Sequence, residues 1–179
     1  MPLRPARCYR RIKGPPYTRQ EYIHGAPYVQ IPKFDMGNPS LVARDGFTMV
    51  AQLISETAGQ IRVQALEAAR QIVYKYLSTK VGDANYYFRL AVYPHHVLRE
   101  NKMLAMAGAD RLQEGMRLAF GSPAGRAARV ERGQVIMYLE FKPEHLPHIK
   151  EALRRARSKL PLPMRVVIGP KNANKAASS

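Results

Sequence analysis

The pair His95 and His96 is the first place in this sequence where side chains could hold a metal ion or transfer a proton. Both histidines follow Pro94, where an apolar stretch ends, and neighbouring side chains of an extended chain point in different directions. No cysteine or acidic cluster stands beside them in the sequence, whereas zinc sites combine several such ligands. The sequence therefore predicts no metal site at these histidines.

A second candidate is the carboxylate pair Asp110 and Glu114, whose helical spacing would suit acid–base chemistry. Arg111 and Arg117 lie close by, so salt bridges within the segment are the more natural interpretation. The chain also lacks a phosphate-binding P-loop, a dinucleotide glycine fingerprint and a recognisable order of nucleophile and histidine. We expect neither an enzyme nor a cofactor.

Charge is the feature that sets this chain apart. Its 179 residues include 29 Lys and Arg against 13 Asp and Glu, which gives a formal net charge of +16. Such a surplus opposes compaction unless a polyanion neutralises it. Nucleic acid is the favoured polyanion, because each neutralised phosphate releases counterions. A membrane surface is the alternative, but no apolar run approaches about 18 residues and no signal-like apolar segment lies near Met1.

The single cysteine, Cys8, excludes an intramolecular disulfide and suits a reducing cytoplasm.

Residues 1–20 form a basic arm with six cationic side chains and no acidic one. Four prolines forbid a continuous helix there, so we expect an extended segment that becomes ordered on a partner. Tyr9 and Tyr17 offer stacking faces between the cations. A solvated, disordered tail is the alternative interpretation. The arm's candidate phosphate-binding residues are Arg4, Arg7, Arg10, Arg11, Lys13 and Arg19.

A second basic surface is expected on a helix over residues 148–161. Its apolar residues recur at helical spacing and should face inward: Ile149, Ala152, Leu153, Ala156 and Leu160. The outward residues include one acid, Glu151. Cations distributed over a folded scaffold suit recognition of double-stranded RNA through its phosphates and 2′-hydroxyls. The candidate RNA-binding residues here are Arg154, Arg155, Arg157 and Lys159, with Lys150 beside them.

The remaining pattern predicts one α+β domain over residues 1–179, with an antiparallel or mixed sheet of four to six strands covered by two helices. The first helix should span 60–82, end at Gly82 and contain an ion pair between Glu67 and Arg70. Its inward stripe is expected to be Ile61, Ala65, Ala68, Ala69, Ile72 and Tyr76. Strands are expected at 28–34, 47–55, 86–94, 164–168 and, as a pair about Gly133, within 128–141. Residues 171–179 should be a frayed tail.

The segment 100–126 differs from the rest because it is rich in glycine and methionine and nearly neutral. Loops longer than about 12 to 15 residues without structure of their own are uncommon and usually functional or disordered. Glycines permit close backbone approach, and methionines adapt to a shaped surface. We interpret the segment as a functional loop, with a plain surface loop as the alternative.

Several strings in this sequence together resemble one family, the universal large-subunit ribosomal protein numbered sixteen, in its archaeal and eukaryotic "ten-e" form. They occur in the same order over nearly the whole chain, and the short tail after Lys171 points to the archaeal form. The strings are RPARCYR, ALEAAR, KMLAMAGADRLQEGMR, AFGSP, RGQVIM and EALRRA.

The resemblance implies a hammerhead-like α+β fold and a structural role in the large ribosomal subunit in the cytoplasm. It implies binding of large-subunit ribosomal RNA near the peptidyl-transferase region, with neighbouring ribosomal proteins as partners and one copy per ribosome. The loop matching residues 103–115 would point toward the acceptor end of tRNA. The implied tRNA-facing residues are Lys102, Met103, Met106, Gly108, Asp110, Arg111, Gln113, Gly115 and Arg117. A free-standing RNA chaperone or assembly factor remains the alternative.

Overall fold

Two helices and two antiparallel sheets build the core of this protein. The structure is a computed structural model and describes residues 4–44, 46–101 and 120–171. Its strands are β1 Asp35–Gly37, β2 Met49–Ser55, β3 Gly59–Arg62, β4 Tyr86–Leu90, β5 His96–Glu100, β6 Ser122–Val130, β7 Val135–Phe141 and β8 Met164–Pro170. Its α-helices are α1 Pro39–Ala43, α2 Val63–Lys80 and α3 Leu146–Arg157. The α+β class expected from the sequence is confirmed.

The strands form two sheets instead of the one expected. A five-stranded sheet has the order β1-β4-β7-β2-β8, a three-stranded sheet has the order β3-β6-β5, and every pair is antiparallel. The described residues therefore contain eight strands instead of four to six. The chain turns after β2 and returns as β3, which pairs with β6 on the other sheet. Alternation along a strand shows which faces are apolar, but it does not specify which strand is the neighbour.

Several element boundaries differ from the sequence prediction. The strand expected at 28–34 is wrong: that stretch is irregular, and β1 follows it at Asp35–Gly37. Pro32 lacks the N–H group that a paired strand needs. Residues 60–62 belong to β3 and not to the helix, which begins at Val63. The strand β5 was missed because it starts directly after Pro94 and His95.

The inward face of α2 is rotated from the one expected. Ala69 is fully buried as predicted, but the predicted Ala65, Ile72 and Tyr76 are half-buried and Ala68 is exposed. The other buried apolar side chains of the helix are Val63, Leu66, Val73 and Leu77. Because α2 packs against α3 as well as against the sheets, its apolar arc is broad. A broad arc contains more than one stripe of helical spacing. The predicted stripe lies mostly at the edge of this arc, beside the residues that are most deeply buried.

The expected ion pair within α2 is present and structural. Arg70 donates from Nε and Nη2 to the two carboxylate oxygens of Glu67, at 2.7 and 2.6 Å. Burial opposes ionisation of Glu67, but hydrogen bonds from Arg70 and Gln71 outweigh it and hold the carboxyl pKa below its ordinary value. The pair gives the buried guanidinium of Arg70 an opposite charge, so that it is not left unpaired beside the core.

Helix α3 has the two faces that its sequence predicted. Ile149, Ala152, Leu153 and Ala156 are fully buried against the core, and the basic residues listed above for this helix are exposed. Among the residues described, no helix is both long and apolar enough to cross a membrane.

The three-stranded sheet divides its two faces sharply. Ile61, Ala128 and Val130 face the core and are fully buried. Alternation and register place polar side chains on the opposite face: Gln60 pairs with Arg129, and Arg62 and His96 both pair with Ala127. We call Gln60, Arg62, His96 and Arg129 the arm-facing cluster, because the N-terminal arm lies on them.

Candidate nucleic-acid interface

The N-terminal arm crosses the three-stranded sheet from one edge to the other. At the free edge of β3, the Arg10 carbonyl accepts a hydrogen bond from the Gln60 N–H at 2.8 Å. At the free edge of β5, the Tyr17 carbonyl accepts one from the Val97 N–H at 2.9 Å. The arm thereby covers both edges of a sheet that would otherwise expose unpaired backbone groups.

Side chains of the arm-facing cluster bind the arm through its carbonyl groups. Gln60 donates from Nε2 to the carbonyls of Tyr9 and Arg11, at 2.9 and 2.6 Å. Arg129 donates to the carbonyls of Gly14 and Pro15, at 2.7 and 3.1 Å, and burial lowers the pKa of its guanidinium. These contacts satisfy arm carbonyls that lie between the two sheet edges.

The start of the arm is bound in the same manner. Arg62 donates to the Arg4 carbonyl at 2.6 Å, and its guanidinium carbon lies 5.6 Å from the centre of the Tyr9 ring. The Tyr9 hydroxyl donates to the Glu100 carboxylate at 2.9 Å, and Arg4 forms an ion pair with the same carboxylate. Burial and the hydrogen bond to Glu100 raise the pKa of Tyr9.

Backbone approach at Gly59 explains why β3 begins with glycine. A Cβ atom there would lie 2.8 Å from the Arg10 carbonyl oxygen and 2.6 Å from a methyl carbon of Leu162. Any larger residue would push the arm away from the sheet edge.

His96 holds the arm as a neutral acceptor. Its Nδ1 accepts a hydrogen bond from the Tyr17 N–H at 2.8 Å, so the proton of the neutral ring is on Nε2. Burial, followed by the charges of Arg129, His95 and Arg99, lowers the pKa of His96 to about 4. Across the described residues, no three His, Cys, Asp or Glu side chains come together as they would around a metal ion.

The arm's own cations point away from these contacts. Most arm cations form no ion pair among the described residues and are exposed: Arg7, Arg10, Arg11, Lys13 and Arg19. Arg4 is the exception, because it is paired with Glu100 while its side chain remains 55% exposed. The arm is not extended throughout, since Ala6–Cys8 forms a short 3-10 turn. Its backbone therefore binds the protein while its charges face outward.

The cations of α3 divide into two groups. Glu151 accepts hydrogen bonds from Arg154 and Arg155, each at 2.7 Å, and these bonds lower the pKa of its carboxyl to about 2. Arg155 also lies over the Tyr76 ring, with its guanidinium carbon 4.4 Å from the ring centre. Lys150, Arg157 and Lys159 are exposed, and within the described part of the chain they make no ion pair.

The candidate tRNA-facing residues and the carboxylate pair Asp110 and Glu114 lie outside the described residues. The tRNA-facing set is Lys102, Met103, Met106, Gly108, Asp110, Arg111, Gln113, Gly115 and Arg117. The strands that flank them, β5 and β6, are antiparallel neighbours with Glu100 opposite Ser122.

Sequence reasoning missed the arm-facing cluster. The local signal was present, because Gln60 and Arg62 flank the apolar Ile61 and Arg129 lies between Ala128 and Val130. That alternation is typical of a strand with one polar face, but the apolar helix that follows obscured it.

Comparison with known proteins gives one consistent result. The family model described as ribosomal protein L16p/L10e matches residues 12–167. The chain belongs to this family. A protein of Pyrobaculum calidifontis named large ribosomal subunit protein uL16 is 78% identical over 178 residues, covering 99% of this chain and 100% of the relative. Proteins of the same name from Caldivirga maquilingensis and Thermofilum pendens are 62% and 60% identical, covering 98% and 94% of this chain and 99% and 98% of the relatives.

Family membership confirms the resemblance that the sequence strings indicated, including its archaeal form. This chain is accordingly a ribosomal protein of the large subunit in the cytoplasm and not an enzyme. The alternative of a free-standing chaperone has no support from these relatives.

The docking of the arm can be tested by the substitution Gln60→Met. It removes two hydrogen bonds to arm carbonyls and retains side-chain volume, so the arm should detach more often. We expect trypsin to cleave after Arg7, Arg10 or Arg11 about tenfold faster in limited proteolysis, as about 1.4 kcal/mol of lost docking energy would produce. The control Gln64→Met, on the first turn of α2, should leave cleavage unchanged. Equal cleavage rates in the Gln60 variant and the parent would contradict the docking.

His96 should make stability depend on pH. Its pKa is lowered from 6.5 to about 4 in the folded chain, so the unfolded chain binds more protons between these values. The stabilising contribution is therefore complete above about pH 6.5 and declines as the pH falls toward about 4. Titration of the His96 ring by NMR should show a neutral imidazole with its proton on Nε2 at pH 5. A ring that is already protonated at pH 6 would exclude this role.

Proposed function

We propose that this chain is a structural constituent of the large ribosomal subunit, with one copy per ribosome. It binds large-subunit ribosomal RNA through the outward cations of the arm and, secondarily, through the outer face of α3. Neighbouring ribosomal proteins complete its surroundings. The segment 102–117 helps to position tRNA near the peptidyl-transferase region, where the RNA itself performs the chemistry.

The observation that carries the proposal is the direction of the arm's charges. The arm is bound through its carbonyls to Gln60, Arg62 and Arg129, so its cations, apart from Arg4, form no ion pair with the residues that the structure describes. A basic segment that is ordered and presents unpaired cations is suited to a phosphate backbone. Preordering also lowers the entropy lost when RNA binds.

The outer face of α3 supports a secondary contact. Glu151 fixes Arg154 and Arg155 in place, whereas Lys150, Arg157 and Lys159 remain available for phosphates. Two basic surfaces from opposite ends of the sequence suit folded RNA, which presents phosphates on several sides.

The arm's role in RNA binding can be measured by its salt dependence. With about six to ten phosphate contacts, the parent chain should lose roughly 10³- to 10⁵-fold in affinity between about 50 and about 200 mM salt. Changing Arg7, Arg10, Arg11 and Lys13 to Gln should reduce the slope of log K against log salt by about 3 to 4, because each lost phosphate contact contributes about 0.9. Filter binding to a large-subunit ribosomal RNA transcript gives the slope.

A matched control removes the same charge elsewhere. Lys33, Lys75, Lys80 and Lys142 are exposed and lie outside both basic surfaces. Changing these four to Gln should leave most of the slope intact. An equal loss in both variants would mean that RNA binding is not localised on the arm, and a flat salt response of the parent would reject the electrostatic account.

The contribution of the loop can be separated by deletion of residues 103–115. The flanking strands are already antiparallel neighbours, so the five remaining residues, 102 and 116–119, suffice to join Asn101 to Phe120. Incorporation into large subunits should persist, while binding of tRNA to the reconstituted subunits should weaken. Loss of incorporation with normal tRNA binding would refute the assignment of tRNA binding to the loop and of incorporation to the rest of the chain.

A control deletion from the other end of the chain isolates the effect. Removing residues 1–13 deletes arm cations and leaves the loop. This deletion should therefore impair incorporation of the chain into large subunits, the step that precedes tRNA binding. The two deletions should therefore fail at different steps of the same reconstitution assay.

A further inference from the structure

Phe120 is an exposed aromatic ring stacked on an arginine. Its side chain is 71% exposed, far more than a core phenylalanine. The guanidinium carbon of Arg99 lies 3.8 Å from the centre of the ring, in a cation–π contact. Arg99 also lies 4.9 Å from the ring centre of Tyr17, which meets Phe120 edge to face at 6.0 Å. We call Tyr17, Arg99 and Phe120 the stacking platform.

Each member of the platform is held by backbone contacts. Tyr17 is fixed at both of its backbone groups, because its N–H donates to His96 and its carbonyl accepts from Val97. Arg99 belongs to β5. The residue after Phe120 is Gly121, where a Cβ atom would clash with the backbone of Glu100 and Asn101. Glycine is therefore required for the chain to bring Phe120 this close to β5.

Two members of the platform, Arg99 and Phe120, line a groove between the arm and β5. The groove has a volume of about 460 Å³, comparable to pockets that hold small ligands. Arg11 and Lys13 from the arm line it together with Arg99 and Phe120. Among the described residues, no carboxylate lines it, so the groove combines three cations with an exposed ring.

We infer that this groove binds an unpaired nucleotide of RNA, with the base stacked on Phe120 and the adjacent phosphates on Arg11 and Lys13. The inference rests on the proposed function and names the class of RNA that this one site accepts. A base in a duplex is stacked on both sides and does not reach an isolated ring, whereas a base in a loop or bulge does.

The chemistry favours a nucleotide over a protein segment. Arg99 already lies against Phe120, and a base extends that stack with a second planar, polarisable surface. The surrounding cations complement phosphates, and the described lining of the groove offers no carboxylate that would complement a basic peptide.

The substitution Phe120→Leu tests the stacking, with Phe120→Tyr as the variant that keeps the ring. The probes are a short single-stranded oligoribonucleotide that carries 2-aminopurine and an RNA duplex of the same length. We expect Phe120→Leu to weaken single-strand binding by about tenfold and to lose the 2-aminopurine quenching, since stacking on an aromatic ring is worth roughly that much per base. Duplex affinity and the salt slope should not change, because no charge is removed.

The control Tyr28→Leu removes another exposed ring, 77% exposed, away from the groove. It should leave single-strand binding and quenching unchanged. Equal single-strand affinity in Phe120→Leu and the parent would overturn the inference while leaving the proposed function intact. A parent chain that binds neither probe in a salt-dependent way would instead overturn the proposed function.

Photocrosslinking identifies the occupant in the assembled particle. The photoreactive residue p-benzoylphenylalanine in place of Phe120 should crosslink to ribosomal RNA in reconstituted large subunits, at a nucleotide outside any helix. A crosslink to a neighbouring protein, or to a nucleotide paired within a duplex, would overturn the assignment.

Discussion

Hydrogen bonds from a basic protein to the carbonyls of its own basic arm are the interactions on which the rest of this structure depends. Two cationic surfaces repel each other when their side chains meet, but backbone carbonyls are acceptors whatever their side chain carries. Gln60, Arg62 and Arg129 donate to those carbonyls, and the repelling side chains turn outward. The same contacts thus fix the arm and leave its charge available.

The neutral state of His96 follows from this arrangement. A protonated imidazole would place another cation beside Arg129 and Arg99, and its Nδ1 would oppose the Tyr17 N–H instead of accepting from it. The low pKa avoids both penalties near neutral pH. Of the two adjacent histidines that first suggest metal chemistry, His96 therefore has a structural role, which is to bind the arm.

The stacking platform is a second consequence of arm docking. Tyr17 reaches Arg99 because its backbone completes the edge of β5, and Phe120 reaches Arg99 because Gly121 allows the chain to pass against Glu100. Residues about 100 positions apart in sequence thereby share one small surface. The basic face of α3 differs, because its residues are close together in sequence and its ion pairs, from Arg154 and Arg155 to Glu151, are local.

The sequence by itself determined the family, the α+β class, the two faces of α3 and the ion pair between Glu67 and Arg70. Each of these depends on local spacing or on short strings of residues, which can be recognised without knowing which distant segments pack together. Only the tertiary structure decided that the strands form two sheets, that residues 60–62 are a strand and that α2 buries Leu66 and Val73 instead of the flanking stripe. It also decided what His96, Arg99 and Phe120 contact. Strand pairing and arm docking join segments far apart in sequence, and no local period records which distant segment will supply the partner.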